Sequence, residues 1–328
     1  MNQYLRDIFA THGEIPPVDF HSPVFIIGLM RSGTTYLANM ISKHPQLLQL
    51  GFELNEAWTK IGGASAYDRI YKNENDASFE YSNNMTAYFT RFIQESKGFK
   101  RHIMRLQSKY LNGVGRIFYD WQHIIPLNKC PHLINRINYI TTIYPNARII
   151  FIIRSIEGHS SSMKVHFDHV FSDLGICHYM PDEESSSWFN IAKGRINEYP
   201  ENKCYPGNFS VIPEMWIRLN HLALKELKQL PEEKRIILNY EDLINKPEII
   251  LPAIFDFIGT LPKYNNDVYK ITHKKIKKKN TTTKGDPLTK WKKYLSENEI
   301  QMIHQAIKKE SIKYNTSLEL LNDLKITI

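Results

Sequence analysis

Residues 24–35 read Val-Phe-Ile-Ile-Gly-Leu-Met-Arg-Ser-Gly-Thr-Thr, an apolar run that ends in a turn with two glycines, three hydroxyl side chains and one arginine. The run has the length and β-branching of a buried strand, and helical spacing resumes over residues 36–41. A strand, a glycine-bracketed turn and a helix N-terminus in this order place backbone N–H groups around an anion, usually a phosphate. The stretch therefore predicts an α/β fold with an anion-binding loop.

This loop differs from a nucleoside-triphosphate P-loop at one decisive position. A Walker A loop, G-x-x-x-x-G-K-[ST], uses its lysine on the β- and γ-phosphates and its hydroxyl on magnesium. Gly28 and Gly33 keep the glycine spacing and Thr35 stands at the hydroxyl position, but Thr34 replaces the lysine. The cation is Arg31, inside the loop. We therefore expect a ligand with a phosphate-like anion that needs no metal-bridged triphosphate.

Length and composition are those of a globular protein. The chain has 328 residues, of which 42% are hydrophobic, and a mean hydropathy of -0.40. No stretch reaches the roughly 20 apolar residues of a membrane span, and the N-terminus lacks the pattern of a secretion signal. Three widely spaced cysteines, Cys130, Cys177 and Cys204, give neither a disulfide framework nor metal-site spacing. These features predict a cytoplasmic protein without a metal site.

The net charge of +8 is concentrated in one segment near the C-terminus. Lysines crowd residues 274–293, where Asp286 is the single acidic residue, and the rest of the chain is close to neutral. Such a run is typical of a solvated face or a nucleic-acid patch. It could equally cover an anionic ligand, and the cluster at 274–279 could still be plain surface.

Strands and helices alternate along the chain. After the first unit, over residues 23–43, the patterns predict strands at 46–54, 148–153 and 235–239, a mostly helical region at 55–120, an irregular excursion at 171–207, and helices at 132–144, 157–168, 212–229, 247–258 and 294–310, the last with Ser296 as N-cap. This alternation predicts a P-loop-like, three-layer α/β/α fold around a central parallel sheet. Ligands of such sheets bind beyond the carboxyl ends of the strands. The loop 28–35, Arg154 and Tyr240 all follow strands, so we expect them to converge.

A second candidate anion site begins at the end of the strand 148–153. Arg154 is followed eight residues later by Ser162, two turns into the next helix, and the two side chains could bind one compact dianion together. With the first loop, this pair resembles the sulfotransferases that use 3′-phosphoadenosine 5′-phosphosulfate (PAPS) and release adenosine 3′,5′-bisphosphate (PAP). The resemblance implies that the 5′-phosphosulfate binds Arg31, Ser32, Gly33, Thr34 and Thr35, and that Arg154 and Ser162 bind the 3′-phosphate.

Further motifs of this family occur in the same order. Asn128-Lys129-Cys130-Pro131 precedes a helix and Tyr-Pro-Asn-Ala-Arg at 144–148, Tyr-Glu-Asp-Leu follows a strand at 240–243, and Lys-Trp occurs at 290–291. The resemblance covers about 23–295 and implies one domain over 1–328, with acceptor-binding insertions at about 55–125 and 168–210. It also implies donor contacts from Tyr240, which could instead be core, and from the polar segment 281–290, through Thr283, Lys284 and Lys290.

Two departures from the family pattern bear on the catalytic base. Ile156 stands where a proline often follows the strand-end arginine. Pro131 stands where the cytosolic small-molecule branch has its catalytic histidine, and His132 follows one residue later. The chain therefore resembles the branch of tyrosylprotein and bacterial carbohydrate or lipid sulfotransferases, in which a glutamate after the second strand is the base. Glu53 is the matching candidate, and Glu56 and His132 are the alternatives.

The implied reaction is transfer of a sulfuryl group to a hydroxyl of an acceptor, without a metal. Such transfer proceeds in line, so the protein mainly positions the reactants and stabilises charge on the leaving oxygen. Arg31 would stabilise the 5′-phosphate, and Lys129 would add a cation near the sulfuryl oxygens. A carbohydrate, a lipid or another small molecule is favoured as the acceptor. The sequence gives no indication of oligomeric state.

Two other functions compete with this interpretation. A P-loop kinase or NTPase would need lysine at Thr34 and a strand-end aspartate for magnesium, and neither is apparent. A nucleic-acid-binding protein would explain the pI of about 9.1 and the lysine run. It gives no reason for the loop that contains Arg31, and we expect no nucleic-acid partner.

Overall fold

The computed structural model describes residues 22–65, 70–97, 119–181, 187–273 and 285–314. Within these ranges the strands are β1 (Val24–Ile27), β2 (Leu47–Gln49), β3 (Ile125–Lys129), β4 (Arg148–Ile153), β5 (Ile176–Tyr179), β6 (Phe189–Ala192), β7 (Cys204–Tyr205) and β8 (Arg235–Asn239). The helices are α1 (Thr34–Ile41), α2 (Asn55–Lys60), α3 (Phe79–Ser96), α4 (Ile137–Ile143), α5 (Ile156–Leu174), α6 (Val211–Gln229), α7 (Tyr240–Asn245), α8 (Pro247–Ile258), α9 (Asn265–His273), α10 (Trp291–Tyr294) and α11 (Glu297–Tyr314). Short 3₁₀ turns occur at Glu74–Asp76, Trp121–His123, Pro131–Leu133, Lys193–Glu198, Glu201–Lys203, Glu232–Lys234 and Pro262–Tyr264.

Five of these strands form one parallel sheet in the order β2-β3-β1-β4-β8. Successive residues of β1 point to opposite faces, as in any strand. Phe25 and Ile27 therefore enter one hydrophobic core, while Val24 and Ile26 enter a second core on the other face. A parallel sheet with a core on each face is the central layer of three. The predicted three-layer α/β/α fold is confirmed.

Strand β3 is missing from the sequence-based prediction. It lies between β2 and β1, so the predicted second strand, which is confined to Leu47–Gln49, does not pair with β1 directly. Pro126, Asn128 and Lys129 interrupt the apolar run that would have marked the strand. All five residues of β3 are nevertheless buried, because sheet neighbours lie on both sides.

Several other boundaries differ from the predictions. The helix expected at 132–144 begins only at Ile137, after a 3₁₀ turn at Pro131–Leu133. The helix expected at 157–168 continues to Leu174, where Gly175 at φ 60° ends it. Helix α9 was not predicted. Ser296 caps α11 as expected, since its Oγ accepts from the Glu299 backbone N–H at 3.2 Å.

The prediction of an irregular excursion at 171–207 is wrong. Three short strands form a separate antiparallel sheet in the order β6-β5-β7. Its strands have two to four residues each, and two 3₁₀ turns lie between β6 and β7, so no strand period is long enough to stand out in the sequence. The sheet packs against α5 through stacking of Phe167 on His178, whose ring centroids are 3.6 Å apart.

Candidate active site

The loop after β1 turns tightly onto α1, which begins at Thr34 rather than at Tyr36 as predicted. The Ser32 N–H donates to the Leu29 carbonyl at 3.1 Å, Arg31 has φ 71° and Gly33 has φ 98°. A Cβ on Gly33 would lie 2.3 Å from Cδ2 of Tyr240. Only glycine fits there, because the backbone conformation and the Tyr240 ring both exclude a side chain.

Arg31, Ser162 and Arg154 come together at the carboxyl ends of β1 and β4. Nε of Arg31 donates to Oγ of Ser162 at 3.2 Å. Arg154 is 4% exposed, and its guanidinium donates to the Arg31 carbonyl at 3.1 Å and to the Pro287 carbonyl at 3.0 Å. Burial and the neighbouring Arg154 lower the pKa of Arg31, and burial also lowers the pKa of Arg154. The protein therefore holds two neighbouring guanidinium groups, of which Arg154 is buried and Arg31 is partly buried.

Lys290 is the third cation of this group, and Tyr240 packs against Arg154. The Arg154 guanidinium lies over the Tyr240 ring, 4.8 Å from its centroid. Lys290 is 8% exposed, and its pKa falls to about 8 because of burial and of repulsion from Arg154 and Arg31. Three cations that destabilise each other's charged forms make a site whose charge favours a polyanion.

A second group lies at the end of β3, directly beside this loop. Ile26 of β1 pairs with Lys129 of β3, and the Cys130 N–H donates to the Ile26 carbonyl at 3.2 Å. Lys129 is fully buried, and its Nζ donates to Oε1 of Glu53 at 2.6 Å. Nε2 of His132 is 3.8 Å from Oε2 of the same carboxylate. Burial lowers the pKa of Lys129, although Glu53 opposes the shift.

Comparison with known proteins assigns the family. A model described as "Sulfotransferase family" matches residues 23–262, which is most of the chain. The chain belongs to the sulfotransferase family. The reaction of this family is sulfuryl transfer. The family assignment therefore favours sulfuryl transfer over the kinase, NTPase and nucleic-acid-binding functions considered above.

Several solved structures are similar to this sulfotransferase. Sulfotransferase STF9 from Mycobacterium avium is 11% identical, with 96% of this chain and 81% of that chain covered and a TM-score of 0.46. The sulfotransferase domain from the curacin biosynthetic pathway is 14% identical, with coverage of 90% and 99% and a TM-score of 0.42. Mouse sulfotransferase SULT7A1 complexed with PAP is 13% identical, with coverage of 94% and 91% and a TM-score of 0.40. A search of curated protein sequences found no match.

The remaining predicted residues of the sulfotransferase fall into three groups. Ser32 is buried in the loop, Thr34 is buried at the start of α1, and Thr35 follows it in the first turn of this helix. Glu56, one alternative base, pairs instead with Lys60 at 3.6 Å, and its side chain is 51% exposed. Thr283, Lys284 and the lysines of 274–279 lie outside the described residues.

The described ranges contain neither a candidate metal site nor a candidate membrane span. No cluster there of three or more His, Cys, Asp or Glu side chains has the arrangement to hold a metal ion. Nor does any helix in those ranges combine the length and apolar character needed to cross a membrane.

Three residues near the site escaped the sequence analysis. His159 of α5 is fully buried, and burial together with Arg154 lowers its pKa to about 3, so the ring is neutral. Phe52 is 46% exposed, and the Lys129 ammonium lies 3.7 Å from its ring centroid. Asn55 donates to Oε2 of Glu53 at 3.2 Å. The proximity of Phe52 and Asn55 to Glu53 in the sequence was the one signal that could have identified them.

Proposed function

We propose that this enzyme binds PAPS and transfers its sulfuryl group to a hydroxyl of a carbohydrate, a lipid or another small molecule. The observation that carries the proposal is the joint placement of Arg31, Ser162 and Arg154 at one edge of the sheet. A nucleotide with phosphates at both the 3′ and 5′ positions needs two neighbouring anion sites. The loop of Arg31 and the pair of Arg154 and Ser162 would supply them.

Two buried side-chain atoms of the candidate site, one on the loop and one on Arg154, are suited to bind phosphate oxygens. In the described chain, Oγ of Ser32 and Nε of Arg154 are buried and have no hydrogen-bond partner. A buried donor without an acceptor destabilises the protein. A hydrogen bond to a charged acceptor, such as a phosphate oxygen, offsets this cost most strongly. The N-terminus of α1, which starts directly after Gly33, adds backbone N–H groups and a favourable dipole for an anion. These groups support PAPS as the donor and PAP as the product.

We assign the chemical step to three side chains. The acceptor oxygen forms a bond to sulfur while the bond from sulfur to the bridging phosphate oxygen breaks, and PAP leaves. Arg31 stabilises the charge that develops on the 5′-phosphate, because a guanidinium stays protonated and presents a planar fork of donors. Lys129 contacts the sulfuryl oxygens, and Glu53 takes the proton of the acceptor hydroxyl.

The pairing of Glu53 with Lys129 supports this division of roles. A lysine ammonium has three N–H donors, of which Glu53 receives one at 2.6 Å. The remaining donors can reach a sulfuryl oxygen while the carboxylate stays close. Glu53 is favoured as the base over Glu56, because Glu56 is bound to Lys60 on an exposed face. We further propose that 1–328 is one sulfotransferase domain, with the regions 55–125 and 168–210 shaping the acceptor pocket.

The donor half is tested by binding alone. PAP at 100 times its Kd should stabilise the protein by about 2.7 kcal/mol and raise its Tm. Arg154→Ala should abolish this effect. Arg195→Ala, which removes a solvent-exposed arginine paired with Glu198, should retain it. An unchanged Tm of the wild-type protein with PAP would reject PAPS as the donor.

The reaction is tested with labelled PAPS and a panel of sugar, lipid and phenol hydroxyls. Arg31→Ala should lose at least about 10²-fold in turnover, which is typical when one donor to a developing charge is removed. Arg195→Ala again serves as the control. Near-normal turnover in Arg31→Ala would remove Arg31 from the chemical step.

A further inference from the structure

Two consecutive residues at the end of β3 contact two residues of the loop before α2. Nζ of Lys129 donates to Oε1 of Glu53 at 2.6 Å. Sγ of Cys130 lies 3.5 Å from Oδ1 of Asn55, and Nδ2 of Asn55 donates to Oε2 of Glu53 at 3.2 Å. Each oxygen of the Glu53 carboxylate therefore has a different donor. One donor, Lys129, also belongs to the proposed chemical step, and the other does not.

The orientation of the Asn55 amide follows from its two neighbours. An ionised carboxylate can only accept, so the amide atom that faces Glu53 is the nitrogen. The amide oxygen then faces Cys130, whose thiol is 1% exposed. Burial raises the pKa of Cys130 to about 12, so the thiol keeps its proton and can donate. Cys130, Asn55 and Glu53 thus form a chain in which the thiol donates to the amide and the amide donates to the carboxylate.

The loop that presents Glu53 holds an unusual backbone conformation. Leu54, between Glu53 and Asn55, has φ 57°, and Gly51 has φ 61°. Leu54 and Arg31 are the non-glycine residues with positive φ in the described chain, and they lie in the two loops of the candidate site. Strained residues of this kind cluster at functional sites, where the surrounding contacts hold them in place. The contacts of Asn55 hold this loop.

We propose that Asn55, fixed by Cys130, is a positioning residue that holds the Glu53 carboxylate against the acceptor hydroxyl while Lys129 serves the sulfuryl group. This proposal rests on the role proposed above for Glu53. As Lys129 turns toward the sulfuryl oxygens, its hydrogen bond to Glu53 weakens. The amide of Asn55 keeps the second carboxylate oxygen in place, so the carboxylate does not rotate when the proton must move.

The first test replaces the donor with an acceptor of the same shape. In Asn55→Asp a carboxylate faces Glu53, so the hydrogen bond is lost and like charges repel. The probe reaction is conversion of saturating PAPS to PAP with water as the acceptor, followed by chromatography. We expect kcat to fall about 10- to 100-fold, as for loss of a hydrogen bond to a charged group. The Kd of PAP should stay at its wild-type value, and the Tm should fall by only a few degrees because of the like-charge repulsion.

A matched pair of variants tests the role of the thiol. Cys130→Ser keeps a donor to Oδ1 of Asn55, whereas Cys130→Ala removes it and leaves the amide held only by its hydrogen bond to Glu53. We expect Cys130→Ser to be several-fold more active than Cys130→Ala. Cys177→Ser and Cys177→Ala, at a buried cysteine of β5, measure the general cost of these changes in a core. Equal kcat values for the two Cys130 variants would overturn the role of the thiol.

The Glu53→Gln background separates the positioning role from the proposed function. If Asn55 acts through Glu53, Asn55→Asp adds no further loss of kcat in Glu53→Gln. If the losses of kcat in Asn55→Asp and Glu53→Gln are additive, the positioning role is overturned. A fold-loss of PAP affinity as large as the fold-loss of kcat overturns it too, because a distorted site would lose both. A wild-type rate in Glu53→Gln would reject Glu53 as the base. A wild-type rate in Asn55→Asp, together with a slow Glu53→Gln, would reject only the inference about Asn55.

Discussion

Gly33→Ala should destabilise the protein through one identifiable contact. The new Cβ would lie 2.3 Å from Cδ2 and 2.6 Å from Cε2 of Tyr240, well inside any normal carbon contact. The ring cannot move away at low cost, because Tyr240 is 8% exposed and packs against the Arg154 guanidinium and the edge of Tyr36. Residue 33 also has φ 98°, which disfavours any Cβ.

The magnitude follows from these two effects. The positive φ costs about 1–2 kcal/mol and overpacking against a held ring costs about 1–3 kcal/mol, while a stiffer unfolded chain returns about 0.4–1 kcal/mol. We therefore expect the free energy of unfolding to fall by about 3 kcal/mol. Gly175→Ala is the matched control, because residue 175 has φ 60° and the atom nearest to its new Cβ, Cβ of Lys193, would be 3.9 Å away. It should cost only about 1 kcal/mol, since it lacks the clash.

Urea unfolding of Gly33→Ala, Tyr240→Ala and the double variant provides the assay. Removing the ring removes the clash. The double variant should therefore lose less free energy of unfolding than the sum of the two single losses, by about 1–3 kcal/mol. PAP affinity should also fall in Gly33→Ala, because the displaced ring supports Arg154. Equal losses in Gly33→Ala and Gly175→Ala, or strict additivity with Tyr240→Ala, would refute the reasoning.

Two further predictions concern pH. The pKa of Lys290 is about 8, and its protonated form attracts an anion. Calorimetry should therefore show that PAP affinity falls as pH rises through 8. Lys290→Gln should bind PAP more weakly than the wild-type protein at pH 7, and its PAP affinity should change less with pH. Burial opposes the charge of Asp120, but hydrogen bonds from Lys263, Tyr264 and His123 hold its pKa well below the usual value. The stabilising contribution of the ionised Asp120 is present above about pH 4 and is lost as pH falls further. Asp120→Asn should therefore be about 1–3 kcal/mol less stable than the wild-type protein at pH 7. The variant should also lose less stability than the wild-type protein on acidification. Unfolding curves between pH 2 and 7 measure this, and parallel pH profiles for the two proteins would contradict it.

The strand, turn and helix of the loop that contains Arg31 could be predicted because their signal is local. The strand, both glycines and Arg31 occur within residues 24–35, and each has a backbone or charge requirement that the sequence displays. Arg154 and Tyr240 could be added because parallel strands bring their carboxyl ends to one edge. The convergence of the loop with Arg154 and Tyr240 needed only the strand order, and the structure confirms it.

The acceptor side could be predicted less completely, because its contacts are long-range. Lys129 and Glu53 are 76 residues apart, and they meet because β3 inserts between β2 and β1. The polar residues of β3 concealed that strand, and with it the reason why Cys130 reaches Asn55. His159 gave no signal at all, since its lowered pKa results from burial and from the nearby Arg154 and Arg31, which are brought to it by the fold.

The two halves of the candidate site differ in how their charges are balanced. Burial and then repulsion from Arg154 and Arg31 lower the pKa of Lys290, so a polyanion that entered the proposed donor half would stabilise it. Lys129 and Glu53 already neutralise each other at 2.6 Å, so the acceptor half has no comparable attraction for an anion. A bound sulfuryl group would bring negative oxygens to Lys129 and compete with Glu53 for its donors. In the proposed mechanism, the carboxylate is released to accept a proton only when the group to be transferred is in place, so proton removal would depend on the presence of the donor.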